Sequence, residues 1–397
     1  MAWSCGGAGL RFSNLACLAG VRHAFGLFLQ PVTMDQGWGR ETFAFAIALQ
    51  NLVWGASQPF TGMIADRYGA KPVVAAGAVL YGLGLYMMSQ VAGETVFILG
   101  AGVLIGLGLS GTTFPVIFGA ISRLVTPQQR SLAMGITMSV GSFGQFAMLP
   151  LSLGLITVFE WQTALIVLAG LTLAMVPLAF GIRNTPAKPA SVEEDVTFSR
   201  ALRDAFGTRD FWLLSLGFFA CGFQVVFIAV HLPAFLADEG IGSGVATTVL
   251  ALIGLVNIAG TYYAGLWGGR HRKPMLLTWI YLGRAAVIAA FVLLPVTATS
   301  AYIFGALMGL FWLSTVPLTN GTIAAVFGVK HMSMLGGIVF FAHQLGSFAG
   351  GWMGGWLYDA TGSYDVAWGI AIALSLIAAL LNWPITERTL AQRRAAA

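Results

Sequence analysis

Long apolar segments alternate with short polar connections along the whole chain. Twelve segments of roughly 20 residues can be placed, and none shows the strict alternation of apolar and polar positions that a strand would have. Segments of that length and composition are typical of α-helices that cross a lipid bilayer. The segments are 11–34, 42–64, 72–92, 95–121, 131–153, 161–182, 211–236, 245–268, 274–295, 299–327, 332–357 and 365–385.

The composition agrees with a membrane protein. Of the 397 residues, 57% are hydrophobic and only 9% are charged, whereas a soluble domain carries about 25% charged residues. We therefore predict an all-α polytopic membrane protein and disfavour a transmembrane barrel, whose strands would alternate. The N-terminus lacks a basic stretch followed by a short apolar core and a cleavage site, so no cleaved signal peptide is expected. The three cysteines show no disulfide or metal spacing.

One polar connection is much longer than the others. Residues 183–210, between the sixth and seventh segments, form the only long charged connection. This predicts an N-terminal six-helix bundle at 1–182, a cytoplasmic linker at 183–210 and a C-terminal six-helix bundle at 211–397.

The basic residues set the orientation. With the N-terminus in the cytoplasm, 17 of the 20 Lys and Arg residues fall on the cytoplasmic side and only Arg40 falls outside, as the positive-inside rule requires. The remaining two, Arg22 and Arg284, lie inside predicted helices. Both termini are therefore expected in the cytoplasm, with the protein in the cytoplasmic (inner) membrane, and the basic surplus calls for no nucleic acid.

The two halves resemble each other at a shift of 202 residues. The matched pairs are Gly20/Gly222, Phe25/Phe227, Pro31/Pro233, Pro72/Pro274, Thr113/Thr315, Pro115/Pro317, Gly119/Gly321, Gly135/Gly337, Gly144/Gly346 and Phe146/Phe348. Each match alone is weak, but the constant offset predicts an internal duplication. Such duplications are typical of transporters that bind their substrate between the repeats.

The stretch GMIADRYGAKP, from Gly62 to Pro72, resembles the loop signature G-x-x-x-D-R-x-G-x-[KR] of the major facilitator superfamily. The resemblance implies two pseudo-symmetric six-helix bundles, with helices 1, 4, 7 and 10 lining a central cavity. It also implies a cytoplasmic gate built from the motif residues Gly62, Asp66, Arg67, Gly69 and Lys71. The second copy, GLWGGRHRKP, has Gly269 in place of the acid.

Further stretches, among them GVRHAFGLFLQPVTMDQGWGRETFAFAIALQN and FFAHQLGSFAGGWMGGWLYDATGSYD, resemble the branch of monocarboxylate transporters and oxalate:formate-type antiporters. This resemblance implies a small organic anion as substrate. Animal monocarboxylate transporters carry an aspartate and an arginine four residues apart in helix 8, and Asn257 and Thr261 occupy those positions here.

Charge inside the membrane is restricted to arginine. All 15 acidic residues fall in loops or at helix ends, so Arg22 in the first segment and Arg284 in the ninth have no acid at their depth. A charge at the bilayer centre costs at least about 2.5–3.5 kcal/mol, which an anionic substrate would partly offset. Arginine suits this role because it stays protonated and can grip a carboxylate with two hydrogen bonds. The alternative is a structural arginine bonded to helix carbonyls or water.

The repeat places Gln224 at the position of Arg22, as a neutral donor on helix 7. Other candidate substrate ligands are Asn257, Gln145, Thr113 and Ser314. Pro115 and Pro317 interrupt helices 4 and 10 and are expected to form gates or kinks. His343, His23 and His231 are the candidate proton carriers because histidine titrates near neutral pH, although packing or a proton brought by the substrate are open alternatives.

No catalytic constellation, metal cluster or Walker loop is present, so neither an enzyme nor a cofactor is expected. The sequence predicts a secondary active transporter of a small organic anion, working as a monomer by proton symport. The alternatives are an anion exchanger or exporter and a non-transporting membrane sensor.

Overall fold

A computed structural model describes residues 19–38, 40–90, 93–181, 197–390 and 392, and these residues contain helices and no strand. Residues 11–18 of the first predicted segment and 183–196 of the predicted linker lie outside the described residues. The helices are α1 (Ala19–Phe28), which has 3₁₀ geometry, α2 (Leu29–Gln36), α3 (Arg40–Tyr68), α4 (Ala70–Gln90), α5 (Glu94–Ile98), which continues through the π-helical segment Leu99–Leu104 into α6 (Ile105–Thr112), α7 (Phe114–Ser122), α8 (Arg130–Leu173), α9 (Met175–Phe180), α10 (Phe198–Phe206), α11 (Arg209–Asp238), α12 (Ser243–Gly268), α13 (Lys273–Leu293), α14 (Ala298–Phe311), α15 (Thr315–Phe327), α16 (Met332–Thr361) and α17 (Asp365–Asn382).

Nine helical stretches within the described residues are long and apolar enough to cross a membrane. The longest, Arg130–Phe180, has 51 residues and covers two of the predicted segments. Its backbone turns at Glu160, where φ is 65°. The all-helical architecture predicted from the apolar segments is confirmed for the residues that the structure describes, and the number twelve stays a prediction.

Helices 4 and 10 of the predicted scheme are both interrupted at the matched positions. In the first, Thr113 is extended (φ −109°, ψ −172°) between α6 and α7, just before Pro115. In the second, α14 ends at Phe311 and α15 begins at Thr315, two residues before Pro317. Proline lacks the N–H that would continue the hydrogen-bond ladder, so carbonyl groups before each break need other donors.

The internal repeat is also visible in helix packing. A Cβ atom at Gly106 would lie 2.9 Å from the Gln50 carbonyl oxygen, and one at Gly309 would lie 2.8 Å from the Ile253 carbonyl oxygen. Both pairs are related by a shift of 203 residues. Glycine is needed at each contact because only it lets two helix backbones approach this closely.

The chain divides into two compact units. Unit 1 comprises Met1–Leu124, Val140–Glu193 and Lys330–Gly337, and unit 2 comprises Val125–Ser139, Glu194–Val329 and Ile338–Ala397. Helices α8 and α16 therefore contribute residues to both units. The division into bundles at 1–182 and 211–397 stays a prediction.

An aromatic cluster forms the core of unit 2. Phe291 stacks on Phe304 with ring centroids 4.2 Å apart, and Trp368 meets Phe227 edge to face at 4.8 Å. These four side chains are almost fully buried. Such ring pairs add to the free energy gained by burying apolar area, and they make unit 2 a well-packed frame for the polar residues described next.

Candidate functional site

Arg22 lies on α1 in unit 1, and its guanidinium carbon is 4.5 Å from the centre of the Trp54 ring. This is a cation–π contact, which supports a cation without supplying a hydrogen-bond acceptor. The Nη1 atom is buried and has no hydrogen-bond partner among the described residues. The residue as a whole is half-buried. The structure therefore leaves one strong, charged donor of unit 1 unused.

The indole under Arg22 is fixed by a neutral polar network. Trp54 donates from Nε1 to Gln58 Oε1 at 2.9 Å and to Thr113 Oγ1 at 3.0 Å. Gln58 donates in turn to the Ser110 carbonyl at 2.8 Å, and Thr61 donates to the same carbonyl at 3.0 Å. The break before α7 is thus held by uncharged donors of α3, and Arg22 is not needed there.

Arg284 lies on α13 in unit 2 and is fully buried. It donates to the Phe311 carbonyl from Nη2 at 2.7 Å and from Nε at 3.2 Å, and Nη2 also donates to the Trp312 carbonyl. Its Nη1 donates to Gln224 Oε1 at 3.1 Å. These carbonyls end α14, where a cation is favoured by the helix dipole. The arrangement matches the structural alternative for Arg284.

Three of the other candidate ligands have protein partners in unit 2. Gln224 is fully buried and donates to the Ala371 carbonyl at 2.8 Å and to Ser375 Oγ. Asn257 Oδ1 accepts from the Leu313 N–H at 2.9 Å, and Ser314 Oγ donates to the Leu310 carbonyl at 2.6 Å. All three hold α17 or the break between α14 and α15.

The remaining two ligand candidates lie in unit 1. Thr113 Oγ1 donates to the Leu109 carbonyl at 2.6 Å besides accepting from Trp54. Gln145 is half-buried on α8. Neither is in a described contact with Arg22.

The three candidate proton carriers have different surroundings. His343 is buried in unit 2, with Nδ1 3.2 Å from Gln344 Oε1 and its ring 4.7 Å from that of Phe218. His231 is buried with Nε2 2.9 Å from the Gly351 carbonyl oxygen. His23 is exposed on α1.

Asp66 organises the cytoplasmic motif in unit 1. Its carboxylate pairs with Arg123 and accepts from the Met334 N–H at 2.9 Å and the Ser333 N–H at 3.3 Å. It therefore caps the N-terminus of α16, where a negative charge is favoured. Gly62 packs against the Ser333 backbone, and Gly69 turns the chain with φ of 91°.

The two basic residues of the motif lie against aromatic rings. The Arg67 guanidinium lies 5.3 Å from the Tyr68 ring and is exposed, while Lys71 Nζ lies 4.6 Å from the Phe180 ring. Arg123, one of the 17 basic residues predicted on the cytoplasmic side, is the partner of Asp66. Its distance of 57 residues along the chain gives no local signal for that pairing.

The second copy of the motif, in unit 2, has glycine in place of the acid. Gly265 packs against Gly135, and Gly268 lies against Ser131 near the start of α8. Charge is carried instead by Lys273, whose Nζ pairs with Glu387 at 3.1 Å. Gly265 and Gly268 thus approach the start of α8 as Gly62 approaches the start of α16, and the difference is that Gly269 stands in place of the capping acid.

The family model for the Major Facilitator Superfamily matches residues 12–351. The chain belongs to this superfamily, whose members are transporters, and it is a multi-pass membrane protein. That agrees with the resemblance carried by the Gly62–Pro72 motif and with the transporter class predicted from it.

Monocarboxylate transporters are among the named relatives. Monocarboxylate transporter 13 of Rattus norvegicus is 25% identical, covering 92% of this chain and 85% of the relative. Monocarboxylate transporter 11 of Homo sapiens is 26% identical, covering 90% and 77%. YcxA of Bacillus subtilis (strain 168), an uncharacterized transporter of the superfamily, is 24% identical, covering 91% and 90%.

The solved structures agree on the fold. The fucose:proton symporter FucP of E. coli superposes with a TM-score of 0.72 at 17% identity, covering 94% of this chain and 97% of that one. The proton:xylose symporter XylE superposes with a TM-score of 0.74 at 15% identity, covering 98% of both chains.

Proposed function

We propose that this protein is a secondary active transporter that carries a small, monocarboxylate-like organic anion across the cytoplasmic membrane by alternating access, coupled to protons as a symporter. The scheme includes twelve membrane spans with both termini in the cytoplasm and a monomer as the working form. The observation that carries the proposal is Arg22, a half-buried guanidinium whose Nη1 has no hydrogen-bond partner among the described residues.

The electrostatics of unit 1 favour an anion. The charge of Arg22 rests on an aromatic ring, and no carboxylate pairs with it among the described residues. A charge in the membrane without a partner is unfavourable, and a carboxylate bound to guanidinium gains two parallel hydrogen bonds. The monocarboxylate transporters among the relatives support the same substrate class.

The proposed substrate site contains fewer residues than the set of candidate ligands predicted from the sequence. Arg284 and Gln224 donate to protein acceptors, so we assign both to the scaffold of unit 2. Asp66 with Arg123 forms the cytoplasmic latch of the transport cycle, together with Gly62 and Gly69. Of the histidines, we take His343 as the proton carrier, because it is buried and its Nδ1 is close to a neutral amide and a hydroxyl.

Uptake into proteoliposomes tests the transport proposal. With labelled lactate outside and no anion inside, an imposed inward proton gradient should drive accumulation, and His343→Gln should abolish the response to the gradient. Uptake that requires preloaded internal anion would contradict symport and favour exchange. No flux in either direction, with lactate bound to the purified protein, would favour a sensor.

A further inference from the structure

The helix α10, which precedes the apolar helix α11 in unit 2, has two different faces. Ala201 and Ala205 are four residues apart and buried, so their face packs against the protein. On the opposite face Arg200, Arg203 and Phe206 recur every three residues, and all three are exposed. Residues three or four positions apart lie on the same side of an α-helix. The exposed face of α10 therefore presents two cations and one aromatic ring to its surroundings.

The exposed ring of Phe206 stacks on that of Trp212 in the first turn of α11. The ring centroids are 5.5 Å apart, and the two side chains are 44% and 49% exposed. The indole Nε1 donates to the Phe206 carbonyl at 2.9 Å, and the buried ring of Phe211 meets both rings edge to face. The pair is thus held in place with its one polar hydrogen already bonded, so its outer face can enter an apolar environment.

The start of α11 places this aromatic pair at the edge of a membrane. The stretch Arg209–Asp238 is long and apolar enough to span a bilayer, and Trp212 lies about one helical turn after its first residue. Tryptophan is enriched at this depth, where headgroups meet acyl chains. The exposed face of α10, which ends at Phe206, is therefore expected at the membrane surface.

The exposed charge within residues 197–212 is positive. Arg209 is exposed, as are Arg200 and Arg203. Of the two acids, Asp204 is half-buried, and the buried Asp210 carboxylate accepts a main-chain hydrogen bond at 3.1 Å. The cytoplasmic leaflet carries a negative surface potential that attracts clustered arginine and lysine. The charge and the aromatic pair thus both fit an anionic lipid surface.

We propose that the surface formed by Arg200, Arg203, Phe206, Arg209 and Trp212 binds anionic phospholipids of the cytoplasmic leaflet. The arginines pair with the phosphate groups, since guanidinium binds phosphate through two parallel hydrogen bonds. The aromatic pair inserts between headgroups and acyl chains, so that α10 lies along the bilayer. The inference uses the cytoplasmic orientation of the proposed function but does not depend on its substrate.

Main-chain hydrogen exchange in α10 tests the proposal, with the full chain in nanodiscs of phosphatidylcholine with or without phosphatidylglycerol. Exchange should be at least about fivefold slower with the anionic lipid, since one arginine near an anionic surface contributes about that factor. The difference should disappear at about 1 M salt, where the charges are screened.

Arg200→Gln/Arg203→Gln should lose the lipid dependence, whereas Arg200→Lys/Arg203→Lys keeps the charge and should keep most of it. The matched control is Arg270→Gln/Arg388→Gln, which removes two exposed arginines from other parts of unit 2 and should leave the difference unchanged. All of these side chains are exposed, so the melting temperatures in detergent should agree.

Exchange in α10 that is the same in both lipids for the wild type would overturn the proposal. Equal losses in the two glutamine variants would also overturn it, because arginines elsewhere in unit 2 would then serve as well. Inorganic phosphate that slows exchange in phosphatidylcholine nanodiscs would assign the surface to a soluble anion instead. Protein that shows the lipid dependence but takes up no organic anion would support this inference and contradict the proposed function alone.

Discussion

Each unit of this protein has one arginine inside a predicted membrane-spanning segment, and these two arginines are in opposite situations. Arg284 in unit 2 donates to two main-chain carbonyls and one amide oxygen. Arg22 in unit 1 rests on the Trp54 ring and keeps Nη1 unpaired among the described residues. The difference shows that a buried charge can be part of the scaffold or available to a ligand, and that hydrogen bonds decide which.

The helix break explains why the two units differ. Before the break at Thr113, the Ser110 carbonyl accepts from the neutral side chains of Gln58 and Thr61. Before the break at Trp312, the carbonyls accept from Arg284. The carbonyls before the break thus accept from uncharged side chains in unit 1 and from a cation in unit 2. Only unit 1 therefore has an arginine in a predicted membrane segment that donates to no described carbonyl at its break.

The largest effect is expected from Arg284→Gln. The shorter side chain leaves the carbonyls of Phe311 and Trp312 and the amide oxygen of Gln224 without their donor, so the free energy of unfolding should fall by about 3 kcal/mol. Thermal unfolding in detergent measures this, with Arg22→Gln as the matched control. Equal melting temperatures for the two variants would remove the distinction between the arginines.

A smaller loss is expected from Asp66→Asn. The change removes the ion pair with Arg123, whose side chain is only 6% exposed, and weakens the cap on α16, so we expect about 2 kcal/mol of destabilisation and slower transport. The matched control is Glu387→Gln, which breaks the pair with Lys273. That pair is partly solvated, with side chains 14% and 24% exposed, and should contribute less than about 1 kcal/mol. Unfolding curves and initial uptake rates that are indistinguishable for the two variants would argue against a special role for Asp66.

The smallest effect is expected from Gln58→Leu, which removes the neutral donor that holds the break before α7. The Ser110 carbonyl keeps its bond from Thr61, so the free energy of unfolding should fall by only about 1–2 kcal/mol. Anion affinity should also fall, because Trp54 loses one of its two acceptors and supports Arg22 less firmly. Thermal unfolding and lactate titration check both expectations. A fall in the free energy of unfolding as large as that of Arg284→Gln would show that the neutral donors contribute as much to stability as Arg284 does.

Apolar length predicted the helical membrane fold, the resemblance of the Gly62–Pro72 motif predicted the superfamily, and the matched prolines predicted the breaks beside Pro115 and Pro317. Hydrophobic runs are local signals, so they survive in a single sequence. The charge census also identified Arg22 and Arg284 as the unusual residues. It could not separate them, because the hydrogen-bond partners of Arg284 are main-chain carbonyls and an amide oxygen, which carry no sequence signal.

The same limit applies to the other polar residues. The repeat predicts Gln224 as the counterpart of Arg22. It does not predict the partners of Gln224, which are Ala371 and Ser375 on α17 and Arg284 on α13.

The most direct test of the central claim crosses the two arginines with two measurements on the same purified proteins. The melting temperature without ligand and the lactate Kd are measured for Arg22→Gln and Arg284→Gln. The account predicts that Arg22→Gln melts like the wild type and loses lactate affinity at least about tenfold, while Arg284→Gln melts at a clearly lower temperature. Lactate affinity that is unchanged in a stable Arg22→Gln protein would contradict it.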